Sequence, residues 1–290
     1  MSVQGSRYAG LAFVGPFVLI YAALLILPLI MGFSLSLHEA DLFGASRWAG
    51  LANFARLAGD PVFGQALLTT VILTLLIVPV LTAITLLLAL TLNRSDRTAA
   101  LFRGVFFSSS VLSVTIVTLI WRFVLTPDGG LLAHAFQLFG LAPAPFLSSP
   151  DLVIPSIAVT TIWWCLGLPM MLFLAGLQQI PADIYEAAAL DGASRWSTFW
   201  QVTLPSLRGT LITVIMLQTA GQLQLFGQSQ LLTGGGPGGA SRTVVLFTYD
   251  VAFGQWELGY ATAAAEILFL IVLALTAGQY WLVARRMRAA

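Results

Sequence analysis

Charge is what this sequence has least of. Its 290 residues include 13 bases and 12 acids, 9% of the chain, against roughly a quarter in an ordinary soluble domain. A water-soluble chain of this length needs a charged surface over its core, so the shortage excludes a soluble globular protein. Lysine is absent altogether, and every base is Arg. The formal net charge of +1 excludes a nucleic-acid binder, which depends on clustered phosphate-neutralising cations. A single cysteine, Cys165, excludes an internal disulfide, and the widely separated His38 and His134 offer no metal-ligand set.

What is present is apolar: 58% of the residues are hydrophobic, and they fall in long charge-free runs. About 20 apolar residues cross a hydrocarbon core of roughly 30 Å. Six runs reach that length, at 8–37, 61–93, 104–121, 152–182, 209–241 and 258–284, the last interrupted only by Glu266. They predict an all-α integral membrane protein, one domain over residues 1–290 with spans at about 9–36, 64–92, 104–125, 152–177, 207–231 and 258–284. A seventh charge-free stretch, 129–150, has a short apolar centre followed by Pro143, Pro145 and Pro150. It reads as an external loop with a short surface helix. The first run is too long for a signal-peptide core and has no small-residue cleavage site before Met31-Gly32, so it reads as a retained span.

Six spans put both termini on one side, and arginine tells which. Arg7, Arg94, Arg97, Arg103, Arg195, Arg208, Arg285, Arg286 and Arg288 fall in one set of loops. Arg47, Arg56 and Arg242 fall in the other, and Arg122 borders the outer end of the third span. Positive charge is retained inside, which predicts cytoplasmic termini in a cytoplasmic membrane.

The longest cytoplasmic connection, residues 181–205, is patterned. Asp183 and Glu186 have capping-box spacing, with Pro181 just ahead of a helix start. Gly192 suits a left-handed helix stop and Ser194 a second helix cap. Ala187 and Ala188 keep one face small, while Trp196, Phe199 and Trp200 make the next segment aromatic, a combination suited to a partner that grips a helix in a groove.

On Glu186-Ala187-Ala188, the Gly192 that follows within Asp191-Gly192-Ala193, and Val202-Thr203-Leu204-Pro205, the chain resembles the permease subunits of binding-protein-dependent ABC importers. Val202 stands where relatives usually have Ile, and Gly209 where many have a second Pro. Thr233-Gly234-Gly235-Gly236-Pro237 with Ser241-Arg242-Thr243 resembles the external loop of the maltose and glycerol-3-phosphate type, as do Trp48 to Phe54, Ala175 to Gln178 and Leu258 to Ala261. The resemblance implies a type I importer permease. Its partners would be a homologous second permease, two ATP-binding subunits, an extracytoplasmic solute-binding protein, and a sugar.

ATP and its Mg would be held by the partner ATPase, since this chain has no G-x-x-x-x-G-K-[ST] phosphate loop and carries no cofactor of its own. Glu186, Ala187, Ala188, Asp191 and Gly192 would couple to the ATPase. Gln218 and Gln222, with Trp163, Gly167 and Ser110, would line the substrate path, where neutral amides can donate and accept to sugar hydroxyls and aromatic faces can stack on the rings. By helical spacing Gln218, Gln222 and Ser229 share one face of the fifth span, and Gln224 and Gln228 another. The alternative in the same family is import of glycerol-phosphate derivatives or another small polar solute, which would favour a basic residue in the path. An ion-coupled carrier would need paired intramembrane charges, and an enzyme a convergent nucleophile, base and orienting group. Glu266, the acid deep in a span, is expected to play a structural role, hydrogen-bonded to a neighbouring helix or protonated, ahead of a gating role. Trp48, Trp121, Trp256 and Trp281 suit interfacial anchoring.

Overall fold

The computed structural model describes residues 4–41, 44 and 46–288, with side chains between 13 and 281. Three helical stretches are long and apolar enough to cross a bilayer: Phe13–Ser36, Pro61–Leu92 and Leu258–Trp281. Two broken pairs add to them: Arg97–Ser109 with Val114–Leu125, bent by 97°, and Pro150–Cys165 with Gly167–Gln178, bent by 49°. The fifth predicted span is Arg208–Leu223, followed after a break by Gly227–Thr233. The stretch read as an external loop carries a helix, Leu131–Leu138. Packing divides the chain into two compact units, Met1–Phe63 with Phe247–Leu270, and Gly64–Leu246 with Ile271–Ala290.

In the first unit the initial helix, Phe13–Ser36, buries nothing within the chain over its apolar window. It leads into an element that an all-helical reading does not contain, an antiparallel hairpin of His38–Ala40 and Ser46–Trp48. The hairpin pairs His38 with Trp48 and Glu39 with Arg47, and the His38 and Trp48 rings meet edge-on with centroids 5.1 Å apart. Asn53, buried in the helix Ala52–Gly59, donates to the Ser36 and His38 carbonyls, each at 2.9 Å. The amide thereby satisfies backbone groups left free where the helix becomes a strand.

The second unit holds two apolar clusters. One joins Leu86, Ala89, Met170, Phe173, Leu177 and Val214; the other joins Leu73, Ile77, Leu81, Val153, Ile157 and Leu232. Three buried hydroxyls of Pro61–Leu92 are satisfied locally, Thr70, Thr74 and Thr85 donating to carbonyls four residues back at 2.7–2.8 Å, while Thr82 Oγ1 is buried with no partner among the described residues. That pairing avoids the cost of a bare polar group in hydrocarbon. The C-terminal end of Pro61–Leu92 is closed by Arg103, whose Nη1 donates to the Leu92 and Arg94 carbonyls at 2.8 Å each. A cation there also complements the negative end of the helix dipole.

The bends have local causes. Pro169 has no N–H for the Cys165 carbonyl, and its ring crowds that carbonyl, so the helix cannot run straight through Leu166. In the third span, Ser113 ends the break at 110–113 by capping Val114–Leu125, its Oγ accepting from the Ile116 N–H at 3.4 Å. In the fifth region the turn at Gln224–Phe226 resets the helical phase. The expected common face of Gln218, Gln222 and Ser229 therefore does not exist as one stripe.

Candidate functional site

The connection at 181–205 forms a helix, Ala182–Leu190, and a second helical segment from Arg195. Pro181, extended at φ −58° and ψ 139°, is itself the N-cap residue and makes no side-chain cap. The capping box expected of Asp183 and Glu186 is thus not formed. Asp183 stands in the first turn, where it favours the positive end of the helix dipole.

The helix stop is complete. Gly192 sits at φ +73°, its N–H donates to the Ala189 carbonyl, and the Ala193 N–H reaches back to the Ala188 carbonyl at 3.0 Å. These two bonds satisfy carbonyls at the helix end and reverse the chain, a conformation that only a residue without Cβ adopts at low cost. Ser194 caps the next helix, accepting from the Ser197 N–H at 3.2 Å. The Tyr185 hydroxyl pairs with Thr203 Oγ1 at 3.2 Å, tying the first helix to the second segment.

None of the residues of Ala182–Leu190 is buried. Glu186, Ala187, Asp191 and Gly192 are exposed and Ala188 is half-buried. Leu190 is 90% and Trp196 71% exposed, with Ile184 and Trp200 open beside them. Trp196, Phe199 and Trp200 stack on one another with centroids 5.2–6.3 Å apart. A folded helix with an apolar, uncovered face is a surface made for a partner.

The residues expected along the path divide into two groups. Ser110 and Gly167 meet at the two helix breaks. Ser110 Oγ donates to the Trp164 carbonyl and accepts the Gly167 N–H, each at 3.1 Å. Ser109 Oγ donates to the Trp163 carbonyl at 3.2 Å, and Trp164 Nε1 donates to the Leu112 carbonyl at 2.9 Å. Each break thus supplies what the other lacks. Gly167 has to be glycine, because a Cβ would stand 2.6 Å from Ser110 Oγ and 2.8 Å from Phe107 Cα.

Gln218 and Gln222 form the second group. Gln222 Nε2 donates to Gln218 Oε1 at 3.3 Å, and the Cys165 thiol lies near the Gln222 side chain, a proximity that only the fold reveals. Trp163, on the same helix as Cys165, is half-exposed and meets Trp121 edge-on at 6.0 Å. Trp121 is therefore engaged inside the protein as well as lying near a span end.

A charged network outside the spans went unread in the sequence. Arg56 pairs with Glu257 and lies 4.0 Å over the ring of Tyr260, whose hydroxyl donates to Asp60 Oδ2 at 2.7 Å. Asp60 Oδ1 in turn accepts the Val62 and Phe63 N–H groups at 2.8 and 3.3 Å, capping Pro61–Leu92. The Arg56 and Glu257 side chains are 54% and 40% exposed, so their ion pair contributes at most about 1 kcal/mol. Tyr260, 3% exposed, is the packed centre of the network.

Burial pushes the Asp60 carboxyl up, but the bonds from Tyr260, Val62 and Phe63 together with the Arg56 charge outweigh it and hold the pKa below its ordinary value. The hydrogen bond to Glu257 raises that of Arg56. Glu39, Asp41, Arg47 and Asn53 join this network around a cavity of about 900 Å³. The partners are some 200 residues apart in the chain, and no local motif marks them.

Glu266 makes no hydrogen bond to any described residue, so of its two expected structural forms the bond to a neighbouring helix is not seen; Gly32 lies beside its carboxylate. The described residues contain no group of His, Cys, Asp and Glu side chains able to hold a metal ion.

The family described as "Binding-protein-dependent transport system inner membrane component" matches residues 64–288. The chain is 34% identical over 260 residues to the multiple sugar-binding transport system permease protein of Streptococcus mutans, covering 86% of this chain and 89% of that one. It is 31% identical over 253 residues to the sn-glycerol-3-phosphate transport system permease protein of Agrobacterium fabrum, covering 87% and 86%. In fold it is similar to a chain of a bacterial ABC transporter involved in the import of the acidic polysaccharide alginate, with a TM-score of 0.86, 22% identity, and 97% and 96% of the two chains covered. The chain belongs to the family of binding-protein-dependent transport system inner membrane components, a family of transport permeases and not of enzymes.

Proposed function

From that membership we propose that the chain is one transmembrane permease subunit of an ABC importer that carries a carbohydrate, a di- or oligosaccharide, across the bacterial cytoplasmic membrane. It pairs with a homologous second permease and two copies of an ATP-binding subunit, and receives its solute from an extracytoplasmic binding protein. The arginine distribution supports cytoplasmic termini, which puts the connection at 181–205 on the cytoplasmic side. The observation that carries the reading is the wholly unburied helix Ala182–Leu190, closed by Gly192 and flanked by Trp196 and Trp200. Glu186 is its polar anchor, Ala187 and Ala188 allow close approach, and Asp191 and Gly192 make the reversal that lets the helix enter a cleft of the ATPase. ATP with Mg, bound by that partner, supplies the free energy, and the helix passes closure of the partner to the spans.

Gln218, Gln222 and the open edge of Trp163 offer the solute neutral donors, acceptors and an aromatic face, while Ser110 and Gly167 shape the adjoining wall. A carbohydrate fits that chemistry. The relative named for glycerol-3-phosphate favours a second reading, a phosphorylated solute. Weighing against it, the predicted spans of Gly64–Leu246 have Arg122 as the cation closest to the path, at the outer end of one helix. The test is uptake by vesicles containing both permeases and the ATPase, with binding protein and labelled malto-oligosaccharide outside. Strict dependence on internal ATP and on binding protein is expected. Uptake without the ATPase would overturn the reading in favour of an ion-coupled carrier.

A further inference from the structure

Glu266 stands eight residues into Leu258–Trp281, about 12 Å down the helix at ~1.5 Å per residue. Some 30 Å of hydrocarbon has to be crossed, so this carboxylate sits at a depth its short side chain cannot leave. Within the described residues nothing donates a hydrogen bond to it. The surface beside it is Gly32, where an added Cβ would come within 3.7 Å of Glu266 Oε1. The residues three and four positions from Gly32 on that helix face are Pro28, Leu29, Leu35 and Ser36, and the Ser36 hydroxyl is already spent on the Phe33 carbonyl at 2.7 Å. The glycine thus makes a notch without providing a donor. Along the same face of the last helix Phe269 and Leu270, three and four residues on, are exposed, whereas Ala263, three residues back, is buried, as are Ala264 and Leu268 on the other side.

We infer that the notch of Glu266 and Gly32 is a contact site for the second permease, which places a side-chain hydrogen-bond donor of one of its transmembrane helices against the Glu266 carboxylate. Lipid tails carry no donor, and an intramembrane acid left bare costs several kcal/mol. A donor on the second permease at the same depth would relieve that cost, and the open face at Phe269 and Leu270 is where such a helix can lie. The inference rests on the two-permease reading above and adds to it the position and chemistry of one contact.

The test uses the chain co-expressed with its second permease and ATPase. Replacing Phe269 by benzoylphenylalanine and illuminating the membranes is expected to join the chain to the second permease. Glu266→Gln, which keeps an acceptor, is expected to retain the complex. Glu266→Leu is expected to reach the membrane in normal amount yet lower the recovered permease pair about tenfold. An adduct with lipid alone, or a Glu266→Leu complex as abundant as the original, overturns the inference, because removing a bare acid from lipid would itself be favourable. A wild-type chain that recovers no second permease at all would instead fail the two-permease reading.

Discussion

Ser110 Oγ accepts the Gly167 N–H and donates to the Trp164 carbonyl, both at 3.1 Å, so that one hydroxyl from the break in one span completes the backbone of the break in another. Two bent helices that each carry unpaired backbone groups in lipid would be costly alone. Joined, they form a rigid elbow, with Trp164 Nε1 returning the favour at the Leu112 carbonyl.

Gly167→Val drives methyl groups into Ser110 Oγ and the Phe107 backbone. It is expected to lower stability by about 1–3 kcal/mol, read as a fall in the thermal unfolding midpoint of the detergent-solubilised complex. Ser110→Ala removes the bridging hydroxyl without a clash and is expected to cost less, about 1–2 kcal/mol. Unchanged midpoints in both variants would show that the elbow is held by other contacts.

Glu186→Lys reverses the anchor charge on the exposed helix, and Gly192→Pro forbids the positive φ that reverses the chain. Both chains are expected to insert normally, to co-purify poorly with the ATPase and to lose uptake. Full transport by both would remove the coupling role of this connection.

Gln222 holds Gln218 through its amide. Gln222→Ala is expected to reduce the uptake rate at saturating binding protein about fivefold, the equivalent of roughly 1 kcal/mol of lost hydrogen bonding, while ATPase binding is kept. An unaltered rate and an unaltered range of transported sugars would exclude it from the path.

Asp60 has its pKa held below the usual carboxylate range in the folded chain. A depressed folded-state pKa stabilises the fold above the unfolded-state value and loses that contribution as the pH falls through the folded one. Asp60→Asn is therefore expected to be less stable than the original at neutral pH, with the gap closing under acid conditions below about pH 4. A gap in unfolding midpoint that persists in acid would assign the effect to the amide's poorer capping of Pro61–Leu92 instead of to charge.

The charge-free runs read the spans well because burial in lipid leaves a strong compositional mark, and Gly192 and Ser194 were legible because turns and caps depend on their own residues. The bends were not. Pro169 was present in the sequence, but whether a proline kinks or ends a helix depends on what else supports the break, here Ser109 and Ser110, which reach the Trp163 and Trp164 carbonyls from another span. The phase reset at Gln224–Phe226 likewise has no strong local breaker, so amides expected on one face fall on two helices. Arg56, Asp60 and Glu257 looked like ordinary loop flanks and Tyr260 like part of a span, and their network exists only after folding brings positions 200 apart together.

The uncovered helix Ala182–Leu190 also bears on how many copies of this chain a cell keeps. Until an ATPase seats on it, Ile184, Leu190, Trp196 and Trp200 form the kind of solvent-facing apolar patch that quality-control proteases recognise. If an ATPase covers that surface as proposed, its supply is expected to set how much of the chain survives. A pulse-chase in cells lacking the ATPase should show the chain turning over faster than in cells that make it.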